Sequence, residues 1–211
     1  VALQVVIVDY GSGNVRSMFN ALKRAARDDQ KVVLSGDPSV IEQADRVVLP
    51  GVGAFAECAR MLDASGALPA LTKKVKGGTP FLGVCVGMQI LATEGLEFQP
   101  HPGLGWIPGV CRKIVLPAGS AHKLPHIGWS PVEAGSHPLF NGLPRPAHLY
   151  FVHSFFLQCA APAHVAATAT YGEDFPAAVA RDNLFGCQFH PEKSDVLGHL
   201  LLQNFCRWTP G

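Results

Sequence analysis

The chain has 211 residues, 48% of them hydrophobic and 16% charged, and a formal net charge of +1. Such a composition supports a buried core and excludes a disordered segment. Near-neutrality without a Lys/Arg cluster excludes a surface that tracks nucleic acid phosphates, and at this length one core is enough, so a single domain over 1–211 is expected.

The chain opens on "VALQVVIVDYG", with no initiator methionine, which reads as a trimmed start. It carries no basic n-region and no A-x-A site, and it is too short for a membrane span; "LQVVIVDY" reads as a buried strand. "NVRSMFNALKRAAR" then forms an amphipathic helix with Val15, Met18, Phe19 and Leu22 on one face. "KVVLSG" is a strand, and "DPSVIEQA" a short helix with Asp37 as N-cap and Pro38 in its first turn. "RVVLPG" (strand), "AFAECARMLDAS" (helix), "PFLGVC" (strand) and "GMQILAT" (helix) follow. This alternation predicts an open, mostly parallel α/β sheet with helices on both faces.

Beyond residue 100, Pro and Gly become frequent and helices scarce. "GVCRKIV", "AHLYFVHSF", "HVAATATY", "PAAVARD" and "LFGCQFH" are expected as antiparallel additions to the same sheet. A closing helix, "KSDVLGHLLLQNFCRW", is expected to turn Val196, Leu200, Leu201 and Phe205 inward. The six cysteines (Cys58, Cys85, Cys111, Cys159, Cys187 and Cys206) are scattered without a C-x-x-C pair. That spacing supports neither a zinc site nor a redox pair, and points to a reduced, cytoplasmic setting.

Three segments carry chemistry. In "GVCVG", Cys85 lies where a strand turns into a helix, between Gly83 and Gly87. Small neighbours relieve the crowding of such a turn, which exposes the side chain at its apex. The adjoining helix N-terminus favours a thiolate there. In "QFHPEKS", Pro191 bends the chain so that Glu192 can fold back beside His190, supplying a base and its orienting carboxylate. In "VVLPGVGAF", glycines let the backbone approach a ligand closely, and the amides of Val52 or Gly53, with that of Val86, are candidates for an oxyanion hole. "DYGSGN" also joins a strand to a helix, but Arg16 replaces the third glycine of a dinucleotide fingerprint and no G-K-[ST] follows.

Together "GVCVGMQ", "LPGVGAF" and "QFHPEKS" resemble the class I, triad-type glutamine amidotransferases. "DYGSGNVRS", "KLPHIGWS" and "YFVHSF", with the lysine of "HPEKS", narrow the likeness to the glutaminase subunits of imidazole glycerol phosphate synthases. Val86 stands where leucine is usual, and "RAARDDQKVV" lacks a glycine often found there. The resemblance implies a Cys85–His190–Glu192 triad that forms a glutamyl thioester, without cofactor or metal. It implies contacts to glutamine from Gln89, Glu97, His153, Ser154 and Phe155, and a partner-facing Lys193. The ammonia would pass to a (β/α)8 cyclase, forming a heterodimer of histidine biosynthesis that makes imidazole glycerol phosphate and an aminoimidazole carboxamide ribonucleotide. A stand-alone γ-glutamyl thiol hydrolase, or the glutaminase subunit of another synthase such as that making pyridoxal phosphate, shares the triad. The former does not need "HPEKS"; the latter lacks "KLPHIGWS" and "DYGSGN".

Overall fold

The computed structural model describes residues 2–211, so the reading of the start at Val1 lies outside it. In chain order the first half contains β1 (Leu3–Val8), α1 (Val15–Ala25), β2 (Gln30–Ser35), α2 (Pro38–Glu42), β3 (Arg46–Gly51), α3 (Phe55–Ala64), α4 (Leu68–Lys76), β4 (Phe81–Cys85) and α5 (Val86–Gln89). Short strands β5 (Glu94–Gly95) and β6 (His101–Pro102) follow, then β7 (Gly109–Lys113), β8 (His126–Ala134), β9 (Ala147–His153) and β10 (Phe155–Cys159). The chain ends with β11 (Val165–Tyr171), β12 (Glu173–Arg181), β13 (Leu184–Cys187) and α6 (Asp195–Arg207).

Nine strands form one sheet in the order β2-β1-β3-β4-β13-β12-β11-β8-β9. As expected, β2, β1, β3 and β4 run parallel and β12, β11, β8 and β9 add antiparallel. The strand of "LFGCQFH", expected among the antiparallel additions, instead inserts as β13 parallel to β4, its unbroken buried apolar run suiting the centre of the sheet. Val5–Val8, Val47–Leu49, Phe81–Leu82 and Phe185 are wholly buried, the apolar run of strands covered on both faces. Right-handed crossovers place α1 on one face, where α6 packs beside it, and the adjacent α2 and α4 on the other.

Four further expectations need correction. "GVCRKIV" does not join the main sheet: β7 belongs to a second sheet, β10-β7-β5-β6. The run "AHLYFVHSF" is two strands, because the chain leaves β8 at His153 and pairs with β7 from Phe155 onward. "GMQILAT" is helical only through Gln89, since the carbonyls of Ile90, Leu91 and Ala92 accept from the amides of Leu104, Ile107 and Gly105 and cannot extend the helix. In α6, Val196 is 74% exposed and Leu200 is half-buried. A Cβ on Gly198 would lie 2.0 Å from the Pro191 carbonyl oxygen, and this close approach turns Gly198, Leu201, Leu202 and Phe205 inward instead. Helix α4 was not anticipated, although Leu68, Leu71 and Val75 form its apolar stripe behind Pro69.

The carboxyl ends of β3, β4 and β13 converge at Gly51, Cys85 and Cys187. Their closeness leaves no space for side chains: a Cβ on Gly83 would meet the Gly87 carbonyl oxygen at 2.6 Å, and one on Gly87 the Leu49 carbonyl oxygen at 1.9 Å. Gly87→Ala is therefore expected to cost about 3 kcal/mol, the upper end of ordinary overpacking. Equilibrium urea unfolding measures it; a wild-type midpoint would show that the elbow has slack.

Candidate active site

Cys85 ends β4 with φ 56° and ψ −114°, a conformation L-residues rarely adopt. Backbone strain of about 1–3 kcal/mol persists only where surrounding packing enforces it, and here the two glycines let β3 and α5 close around the turn. The sulfur is thus fixed at the mouth of a cavity of about 270 Å³. That cavity is lined by Val52, Gly53, Cys85, Val86, Gln89, Glu97, His153, Ser154, Phe155, His190 and Lys193, with Val152 completing it. Of the site residues read from sequence, Glu192 lies outside this lining, behind His190.

His190 follows β13, and its Nδ1 lies 2.8 Å from Glu192 Oε1. Both side chains are almost completely buried, and the second carboxylate oxygen has no hydrogen-bond partner. Ser194 braces the turn: its hydroxyl donates to the His190 carbonyl at 2.7 Å and accepts from the Tyr150 amide at 3.0 Å. Burial alone would push the imidazole down, but hydrogen bonding and charge from Cys85 and Glu192 outweigh it and raise His190 to about 10. An imidazolium is therefore held between sulfur and carboxylate.

The loop after β3 is engaged from behind. The Val52 amide donates to Ser12 Oγ at 3.3 Å, while the Ser12 hydroxyl lies 2.9 Å from the Val52 carbonyl, which also accepts from Cys58 Sγ at 3.2 Å. Neither Ser12 nor Cys58 lines the cavity. The Val52 N–H is thus directed away from the reacting side, and the planar trans peptide turns the Gly51 carbonyl the opposite way. The Gly53 peptide runs in the reverse sense, its carbonyl partner on Val52 facing Ser12.

Three residues read as glutamine contacts are committed elsewhere, in part or in full. Gln89 Nε2 donates to the Phe155 carbonyl at 2.8 Å and to Gln188 Oε1 at 3.1 Å, leaving its own oxygen for a ligand. His153 has both ring nitrogens engaged, Nδ1 with the Phe155 carbonyl and Nε2 with His126 Nδ1. Glu97 Oε2 accepts the Phe55 amide at the start of α3 at 2.8 Å, which holds the carboxylate at the cavity edge. Sequence reading missed Ser12, Cys58, His126 and Gln188; for Gln188 the available signal was a lone polar residue in the apolar run "LFGCQFH". Among the described residues no group of three or more His, Cys, Asp or Glu is arranged to hold a metal ion.

Comparison with known proteins agrees with this geometry. The class-I glutamine amidotransferase family model matches residues 6–207. Imidazole glycerol phosphate synthase subunit HisH of Caulobacter vibrioides is 49% identical, covering 98% of this chain and 99% of that one. The protein of that name from Rhodospirillum rubrum is 48% identical over 99% of this chain and 100% of its own. The fold is shared with PurLQS from Thermotoga maritima (TM-score 0.71, 18% identity, 98% of this chain and 99% of that one). It is shared too with a glutamine amidotransferase from the same organism (TM-score 0.61, 18% identity, 91% and 77%). The chain belongs to the class I glutamine amidotransferase family.

Proposed function

We propose that this chain hydrolyses glutamine to glutamate and ammonia through a Cys85 thioester, as the glutaminase subunit of an imidazole glycerol phosphate synthase. The observation that carries the reading is the elbow cysteine facing the buried His190–Glu192 pair across a cavity of amino-acid size. With a proton already on His190, the sulfur attacks the side-chain carboxamide carbon, and His190 gives that proton to the departing ammonia. Water, deprotonated by His190, then attacks the thioester carbonyl, the C–S bond breaks and glutamate leaves. Glu192 holds the imidazole in place and stabilises its protonated form. Val86 N–H and an amide of the Val52–Gly53 loop would hold the oxyanion. Gln89 Oε1 and Glu97 suit the substrate ammonium, and the backbone at His153–Phe155 suits its carboxamide or α-carboxyl end.

Ammonia is then delivered to a cyclase of (β/α)8 form. Support comes from the surface beside the triad, where Trp129, Lys193 and Val196 line a second hollow and Ile127, Trp129 and Val196 are 59%, 51% and 74% exposed. Such an apolar surface next to a cation fits a partner with a carboxylate opposite Lys193. Free thiols at all six cysteines fit a cytoplasmic setting, and among the described residues no helix is long and apolar enough to cross a membrane.

Cys85→Ala is expected to abolish glutamine-dependent synthesis by the complex while leaving ammonia-supported synthesis intact, because the docking surface is untouched. Residual glutaminase activity well above background would place the nucleophile elsewhere. Glu192→Gln is expected to cost far less than Cys85→Ala and less than the ~10⁴-fold known for the orienting carboxylate of serine triads, since a thiol depends less on its base. Steady-state rates of both variants test the order.

The buried histidines set opposing pH dependences. His190, held up at about 10, contributes stability that is complete below its ordinary 6.5 and is lost as pH rises towards 10. Burial lowers His126 to about 4, helped by the charge of His122, and His153 to about 3, so their contribution is present above 6.5 and lost as pH falls. Unfolding free energy is expected to rise from pH 4 to about 6.5 and decline towards 10, and His190→Phe should flatten the alkaline limb; an unchanged limb would show that His190 is not held protonated.

A further inference from the structure

The carbonyl of Phe155 can only accept hydrogen bonds, and it sets the direction of every bond in a buried polar chain. It accepts from His153 Nδ1 at 2.9 Å, so a neutral His153 carries its lone pair on Nε2. That lone pair accepts from His126 Nδ1 at 3.0 Å, and His126 Nε2 in turn accepts the Ser130 hydroxyl at 2.8 Å. On its other side the same carbonyl accepts one hydrogen of Gln89 Nε2 at 2.8 Å. The other hydrogen donates to Gln188 Oε1 at 3.1 Å. With its oxygen so occupied, Gln188 can present only its NH2 to the remaining neighbour, Cys85 Sγ, 3.7 Å away. Gln188 is wholly buried, and Gln89, His126, His153 and Ser130 are nearly so.

Resting on the glutaminase reading, we propose that Gln188 is a further catalytic residue, an amide donor that stabilises the Cys85 thiolate and is held in that orientation by Gln89, itself fixed on the Phe155 carbonyl. The charge on His190 comes and goes: it is lost when His190 protonates ammonia and regained only from the attacking water, whereas the neutral amide of Gln188 remains a donor throughout. In deacylation, water oxygen bonds to the thioester carbon and its proton moves to His190. The C–S bond breaks and its electron pair returns to sulfur, where the Gln188 N–H receives the developing charge. Besides His190 and Gln188, the sulfur has the Val152 carbonyl at 3.8 Å, which suits a thiol proton and repels a thiolate.

Alkylation of Cys85 by iodoacetamide, followed by mass spectrometry of its peptide from pH 5 to 10 on the full chain, tests this without a partner. The cavity presents His153, Glu97, His190 and Lys193 to the sulfur, with Glu192 behind. Tyr10, Cys58, Cys111 and Cys187 also lie near, each raised above its ordinary value chiefly by burial. All are common to wild type and variants. Gln188→Met removes the donor and is expected to move the profile upward by about one pH unit, the tenfold that a hydrogen bond to a charged group supplies. Gln188→Glu keeps the acceptor for Gln89 but sets a carboxylate against the sulfur, and is expected to move it further. A purely structural role predicts the reverse order of damage, in thermal midpoint only. Wild-type profiles in both variants would overturn the proposal while leaving Cys85 as the nucleophile. A wild-type Cys85 no more reactive at pH 7 than a cysteine in an unstructured peptide would overturn the glutaminase reading and the proposal with it.

Discussion

The site depends on one backbone constraint, the left-handed turn at Cys85. A residue with a Cβ at φ 56° is held there only by its surroundings, and here those are main chain rather than side chain. The Leu49 and Gly87 carbonyls occupy the positions where Cβ atoms at 87 and 83 would lie. The flanking glycines are what let three strand ends and a short helix meet closely enough to project the sulfur. Everything else in the cavity is arranged around that fixed atom.

Opposite the elbow, the oxyanion loop is secured in another arrangement. Ser12 and Cys58 bind the Val52 peptide groups from outside the cavity, so one of the proposed oxyanion donors is directed away. The proposed nucleophile, base and orienting carboxylate are assembled while that donor is not. For the proposed glutaminase subunit, the outward Val52 N–H is an economical place for control, since turning one peptide redirects it. Moving such a two-state peptide from about 1:99 to 99:1 takes roughly 5.5 kcal/mol of differential binding, within the reach of a large protein interface.

Much of this was legible in the residues. Strand and helix periodicity predicted the first four parallel strands, though not β13 beside them, and Asp37 with Pro38 announced α2, whose first turn the Asp37 carboxylate caps. Local turn chemistry placed Cys85 at a strand end and Glu192 beside His190. What escaped depends on contacts distant in sequence. The truncation of α5 is caused by amides at 104–107, and the break at Ser154 by β9 and β10 pairing with different sheets. The orientation of α6 follows from the fit of Gly198 against Pro191. Gln188 looked like an isolated polar residue because its partners, Gln89 and Cys85, lie about a hundred positions away.

In the free chain the proposed triad is assembled, but the Val52 N–H is turned away from the oxyanion position. The most direct measurement is the glutaminase rate of the isolated chain against that of the chain bound to its cyclase with nucleotide ligand present. One missing oxyanion donor corresponds to a rate lower by about 10²–10³ in the isolated chain, with saturation by glutamine still reached. Equal rates in the two states would show that the Val52 peptide controls nothing.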